Sequence, residues 1–163
     1  MVYPDFEEFI ASLNAHRARY LIVGAYAVAF HARPRATKDI DVLVDRTAAN
    51  ARRTLGAVSD FLGSPMPNVD VAKMMNPRTL VVLGVAPVRI DLLTSIDGVP
   101  SFATAWKQRA EGVFGSTAAH YLGLDDLIAA KAACGRPQDH ADLVSLHRAS
   151  ARRAPSKEPR GAG

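Results

Sequence analysis

Two aspartates one residue apart, Asp39 and Asp41, stand at the head of an unbroken apolar run, Val42-Leu43-Val44. Alternate side chains of a strand share a face. Both carboxylates therefore point one way, and Ile40 and Val42 point the other way, toward a core. Carboxylates this close repel, and each raises the other's pKa unless a cation lies between them. The pair is costly as bare structure and useful as half of a divalent-metal site. A hard cation such as Mg²⁺ takes oxygen ligands and commonly shares one or two carboxylates with substrate phosphates. The bland alternative is a solvent-facing strand edge, where Asp is tolerated.

The rest of the chain supplies a frame for that pair. Its 163 residues suffice for one domain with a core and are too few for two ordinary ones. We place that domain at residues 1–150 and a disordered basic tail at 151–163, where Arg, Pro, Ser and Ala leave little to bury. The tail carries much of the formal charge of +4, so the domain itself is only mildly basic. No apolar run approaches the ~20 residues that span a bilayer. The opening segment MVYPDFEEFI lacks a basic stretch and is acidic early, so no secretory signal is expected. The one cysteine, Cys134, excludes an internal disulfide and suits a reducing cytoplasm.

Periodicity predicts the element order. Phe6, Phe9, Ile10 and Leu13 recur at helical spacing behind Pro4. YLIV closes at Gly24 as a buried strand, and AYAVAFHA continues as a helix. RPRATK is a basic loop before the strand DIDVLVD. A helix follows Thr47, a plausible N-cap, and ends at Gly63. TLVVLGVAPVRIDLLTS holds two strands about a turn. SFATAWKQRAEG is expected to be helical, and GVFGSTAAHYL to hold two short strands. LDDLIAAKAACG and QDHADLVSLHRAS are expected to form two final helices. The fold class is α+β (mixed α/β) with a small sheet.

Three further features bear on chemistry. Asp91 lies within VRIDLLT, and a strand interior is an unusual place for Asp. If its strand lies beside DIDVLVD, three carboxylates converge, which is the ligand set of a two-metal site. Otherwise Asp91 is an outward-facing residue paired with Arg89 or Arg35. Gly24, at a strand-to-helix turn, leaves backbone N–H groups that suit an anion. Lys131 falls near the border of the buried face made by Leu124, Leu127 and Ile128, and Arg136, Asp139 and Asp142 follow it. The five histidines are scattered and are taken as structural or surface residues.

Together these stretches, YLIVGAYAVAFHARPRATKDIDVLVD, VRIDLLTS and LDDLIAAKAACGRPQDHADL, resemble the DNA polymerase β-like nucleotidyltransferase superfamily. Within it they look like the small bacterial and archaeal members, minimal or toxin-like, with a helical C-terminal end. The resemblance implies that Gly24 and Ala25 hold the phosphates of an NTP such as ATP. It implies that Asp39 and Asp41 ligate Mg²⁺ (or Mn²⁺), and that Asp91 ligates one metal and helps deprotonate the acceptor hydroxyl. Lys131 would contact the triphosphate, with Arg136, Asp139 and Asp142 completing the motif. Lys38, with Arg33 and Arg35, would attract the anion. The acceptor would be RNA (tRNA), a protein or a small molecule, and an antitoxin is an implied partner. Ala25 stands where the family usually has Gly or Ser, and Gln138 where relatives often have a basic residue. The alternative is an inactive domain of this fold that binds nucleotide, RNA or a partner protein.

Overall fold

The computed structural model describes residues 3–154. Helix α1 (Pro4–Ala15) buries Phe6, Phe9, Ile10 and Leu13, the four apolar positions at helical spacing. Each contributes roughly 1.5–3 kcal/mol of burial. β1 (Tyr20–Val23) is buried throughout, and α2 (Gly24–His31) follows it without a loop. β2 (Asp39–Val44) is followed by α3 (Ala48–Leu62), whose cap Thr47 accepts a hydrogen bond from the Asn50 N–H and whose last turn ends at Gly63. After α4 (Val71–Met75) come β3 (Leu80–Val85), β4 (Val88–Leu93) and α5 (Phe102–Lys107). β5 (Ala110–Phe114) and β6 (Thr117–Tyr121) form a hairpin, and α6 (Leu124–Cys134) and α7 (Pro137–Arg153) complete the chain.

The six strands make one mixed sheet in the order β3-β4-β2-β1-β6-β5. β2 pairs antiparallel with β1 and parallel with β4, so the two strands that carry aspartates are neighbours. Ile40 and Val42 are fully buried, as the alternation requires. One apolar cluster runs from α1 through β1, β2 and β4 to Leu127 of α6 and Leu146 of α7. α1 and α3 lock together through Ser12, which donates to the carbonyl of Ala57 at 2.8 Å, and through an edge-to-face contact of Phe9 with Phe61. Among the described residues no helix is long and apolar enough to cross a membrane.

Three elements differ from the sequence expectation. The segment expected as one helix from residue 101 to 112 divides: α5 stops at Lys107, and Ala110 onward pairs with β6. Sheet pairing outweighs local helix propensity there. α4 was not expected; Asp70 caps it by accepting from the Lys73 N–H at 2.8 Å. α7 continues to Arg153, past the boundary expected at residue 150, and residues 155–163 of the expected tail lie outside the described residues.

Asn50 joins the ends of β1 and β2 from within α3. Its Oδ1 accepts from the Arg19 N–H at 2.7 Å, and its Nδ2 donates to the carbonyls of Arg19 at 3.1 Å and Asp45 at 2.8 Å. Asn50→Ala removes all three from a buried position, so unfolding in urea should show a loss of about 2–4 kcal/mol with an unchanged m-value.

Candidate functional site

The register between strands sets the site. Val23 pairs with Asp41, Asp41 with Asp91, and Asp91 with Val82, so these residues form one row across β1, β2, β4 and β3. Asp39 pairs with Arg89 in the next row. Residues paired across a ladder share a face, and positions two apart share it as well. Asp39, Asp41, Asp91 and Arg89 therefore stand on the same side of the sheet. Asp91 is buried there and holds Arg89 with both oxygens, Oδ1 to Nε at 2.7 Å and Oδ2 to Nη2 at 2.9 Å.

Gly24 lies where β1 ends and α2 begins, with φ 63°. A Cβ there would collide with Oδ2 of Asp41. Glycine is thus needed first for the approach of that carboxylate, and its left-handed φ adds to the requirement. The first turn of α2 has no side-chain cap, so its amides remain available to an anion. Ala25 is buried. Its methyl does not line the cavity beside Gly24.

That cavity has a volume of about 390 Å³, within the ordinary range for small-molecule sites. Its walls include Gly24, Asp41, Asp97, Lys131, Arg136 and Asp139. Of the residues expected at the site, Gly24, Asp41, Lys131 and Arg136 line it, whereas Asp39, Asp91, Ala25 and Lys38 do not. Lys38 is exposed on the loop before β2. Arg35, expected to attract the anion with it, instead donates to Asp142 at 2.5 Å.

Lys131 is not at the border of a buried face. It lies inside that face with Leu127 and Ala130, whereas Leu124 and Ile128 are only half-buried. A buried ammonium requires partners. Asp139 and Asp142, at 0% and 2% exposure, supply them at 3.2 and 3.0 Å. An ammonium has three donors, so one is left to face the cavity. Arg136 binds Asp139 through Nε at 2.8 Å, yet its side chain is 72% exposed and reaches the same cavity. Burial pushes the Asp139 carboxyl up, but hydrogen bonds from Arg136 and Lys131 outweigh it and bring the pKa down to about 2.

Asp41 is in the opposite condition. Burial raises its pKa to about 6, with Asp91 and Asp39 adding repulsion and Lys131 and Arg89 offsetting part of it. Three carboxylates and two cations line the cavity, so a bare triphosphate would meet an excess of negative charge. A divalent cation relieves both conflicts, and the oxygen-only donors of Asp39 and Asp41 fit a hard one. As the side chains stand, no three His, Cys, Asp or Glu among the described residues close on one point to hold an ion. Arg89 occupies the third carboxylate.

Several participants were not anticipated. Asp97 enters the wall because the loop after β4 packs on α6, so closely that a Cβ at Gly98 would strike the carbonyl of Ala129. The Asp-Gly pair in TSIDGVP was the available signal. Cys134 is exposed at the cavity rim. Arg89 pairs with Asp91, one of the two partners the sequence offers it. Of the histidines, His31 is buried and fixed between the Leu122 carbonyl at 2.7 Å and Arg153 at 3.1 Å, which agrees with a structural role.

A family model described as "Nucleotidyltransferase of unknown function (DUF6036)" matches residues 5–147. No curated protein matches the chain.

Two outcomes follow from the electrostatics. The Asp41 carboxyl has a folded pKa of about 6 against ~3.9 unfolded, so the native state holds its proton more tightly and stability falls as pH rises between those values. Asp41→Asn should therefore raise stability at pH 7 by about 1–3 kcal/mol. The gain should vanish below about pH 4, as thermal melts across that range will show. Lys131→Met leaves two buried carboxylates short of a cation and should cost about 3–5 kcal/mol in denaturant titration.

Proposed function

The chain belongs to the nucleotidyltransferase family whose model spans most of its length, and from that premise we propose that it transfers a nucleoside monophosphate from an NTP to a hydroxyl group, with Mg²⁺ (or Mn²⁺) as cofactor. The observation that carries this reading is the register that sets Asp41 and Asp91 side by side, with Asp39 on the same face, next to a cavity that opens at Gly24. Asp39 and Asp41 are the residues that would hold the cation. Bound there, Mg²⁺ supplies charge neutralisation on the phosphates and acidifies a nearby hydroxyl.

The chain's own groups do the remaining work. The uncapped amides of α2 receive phosphate oxygens at Gly24. The spare donor of Lys131 and the outer edge of Arg136 receive others. Because Asp139 and Asp142 already hold Lys131, its charge is fixed in place before substrate arrives, and no reorganisation is needed at the moment of reaction. The acceptor oxygen attacks the α-phosphorus, its bond to the bridging oxygen breaks, and pyrophosphate departs. The acceptor's proton passes to Asp91. Two N–H bonds from Arg89 leave a lone pair free on each Asp91 oxygen, and they fix the carboxylate's orientation.

A second reading, a domain of the same fold that binds nucleotide without transferring it, is favoured by one observation: Arg89 already engages both oxygens of Asp91. Incubation with each α-labelled NTP, Mg²⁺ or Mn²⁺, and total RNA or lysate separates the two. Transfer should appear with one or more NTPs and fall at least 100-fold in Asp39→Asn. Asp91→Asn should lose transfer while retaining nucleotide binding. Nucleotide binding by the parent chain with no transfer under any of these conditions would establish the second reading.

A further inference from the structure

A groove of about 160 Å³ lies between the end of α2 and the flank of α7, lined by Ala32, Arg33, Ser145, Arg148 and Arg152. Three of its five lining side chains are guanidinium groups, and none is a carboxylate. All three arginines are exposed, and none has an ion-pair partner among the described residues. Arg148 and Arg152 are four apart on one helix, where like charges repel. The C-terminal ends of α2 and α7 nearby offset part of that charge. A cluster of donors around a small hollow remains, and its natural complement is an anion of phosphate size.

The groove is tied to the catalytic cavity through two connections. Arg33 begins the loop that leads to Asp39, and within that loop Arg35 is fastened to Asp142 of α7. Along α7, Asp139 lines the cavity, and Arg148 and Arg152 follow it by nine and thirteen residues. At 1.5 Å per residue the groove lies ~14–20 Å along the helix from the cavity. A stacked strand advances ~3.4 Å per nucleotide, so the axial rise alone takes about four to six nucleotides, and Arg148, about half a turn around α7 from Asp139, lengthens that path.

We infer that the groove of Arg33, Ser145, Arg148 and Arg152 holds a backbone phosphate of a nucleic-acid acceptor whose end enters the cavity at Asp41. This rests on the transferase reading above and makes the acceptor a nucleic-acid strand. Guanidinium forks match phosphate oxygens, and a serine hydroxyl adds a backbone contact without reading sequence. An acidic protein segment fits less well. Protein interfaces draw on buried aromatic and aliphatic anchors, and the only apolar side chain in this lining is the methyl of Ala32.

The test compares the parent chain with the Arg148→Gln/Arg152→Gln variant, and with Arg→Lys changes at the same two positions as a charge-retaining control. Fluorescence anisotropy reads the binding of oligoribonucleotides of 2 to 12 nucleotides across a salt series, and calorimetry reads the binding of free NTP with Mg²⁺. The glutamine variant should melt like the parent. It should bind 8- to 12-mers at least tenfold more weakly, with the salt slope reduced by ~0.7 for each phosphate no longer neutralised. It should bind 2- and 3-mers and NTP as the parent does, and the lysine variant should recover most of the loss. Binding of long oligomers within twofold of the parent overturns the inference, as does an equal loss at every length. Loss confined to a polyglutamate peptide also overturns it, in favour of a protein occupant. RNA held by the groove without nucleotide transfer leaves the groove standing and removes the reaction. Transfer without any effect of the groove variant on long RNA does the reverse.

Discussion

The buried charges around Asp142 hold the site together. Lys131 from α6 and Arg35 from the loop before β2 both meet this one carboxylate, and Lys131 also meets Asp139. Three segments are thereby pinned at one place: α6 beside the cavity, α7 that follows it, and the distant loop that leads to Asp39 and Asp41. Such clusters contribute little net stability, because desolvation consumes most of the Coulombic gain. Their effect is geometric. Removing any member strands the others, so the cluster admits one arrangement of α6 over the sheet, and the cavity inherits that arrangement.

Asp41 shows the opposite use of charge. The fold works to satisfy Asp139, and it leaves Asp41 half-buried beside two like charges with its carboxylate pressed against Gly24. A chain selected for stability alone would place an amide or an aliphatic residue there. The conflict resides in a row where Asp41 and Asp91 stand side by side between two apolar residues, Val23 and Val82. An unfavourable group confined to a cavity wall, among neighbours that satisfy their own requirements, is how function stands out from structure in a fold of this size.

The legibility of these features divided along physical lines. Features set by local periodicity were readable: the four buried residues of α1, the alternation in β2, the Thr47 cap, and the glycine at the β1–α2 junction. Adjacency of the two aspartate strands was a conditional expectation, and the sheet order met it. Interactions between residues far apart in sequence were not readable. Nothing near Arg35 announces Asp142, 107 residues away, and that pairing turned an expected anion-attracting group into a structural one. Lys131 looked like a border residue because helical spacing cannot reveal whether a buried lysine will find two carboxylates. α4 and the end of α5 failed for a related reason: short elements are decided by their caps and by sheet pairing more than by pattern.

Cys134 is the only cysteine in the sequence, and it stands exposed on the rim of the cavity. A thiol-selective reagent therefore reaches this molecule at one address. A fluorophore or spin label placed there, with no other residue altered, would report directly on whatever enters beside Asp41, and a bulky adduct would act as a plug.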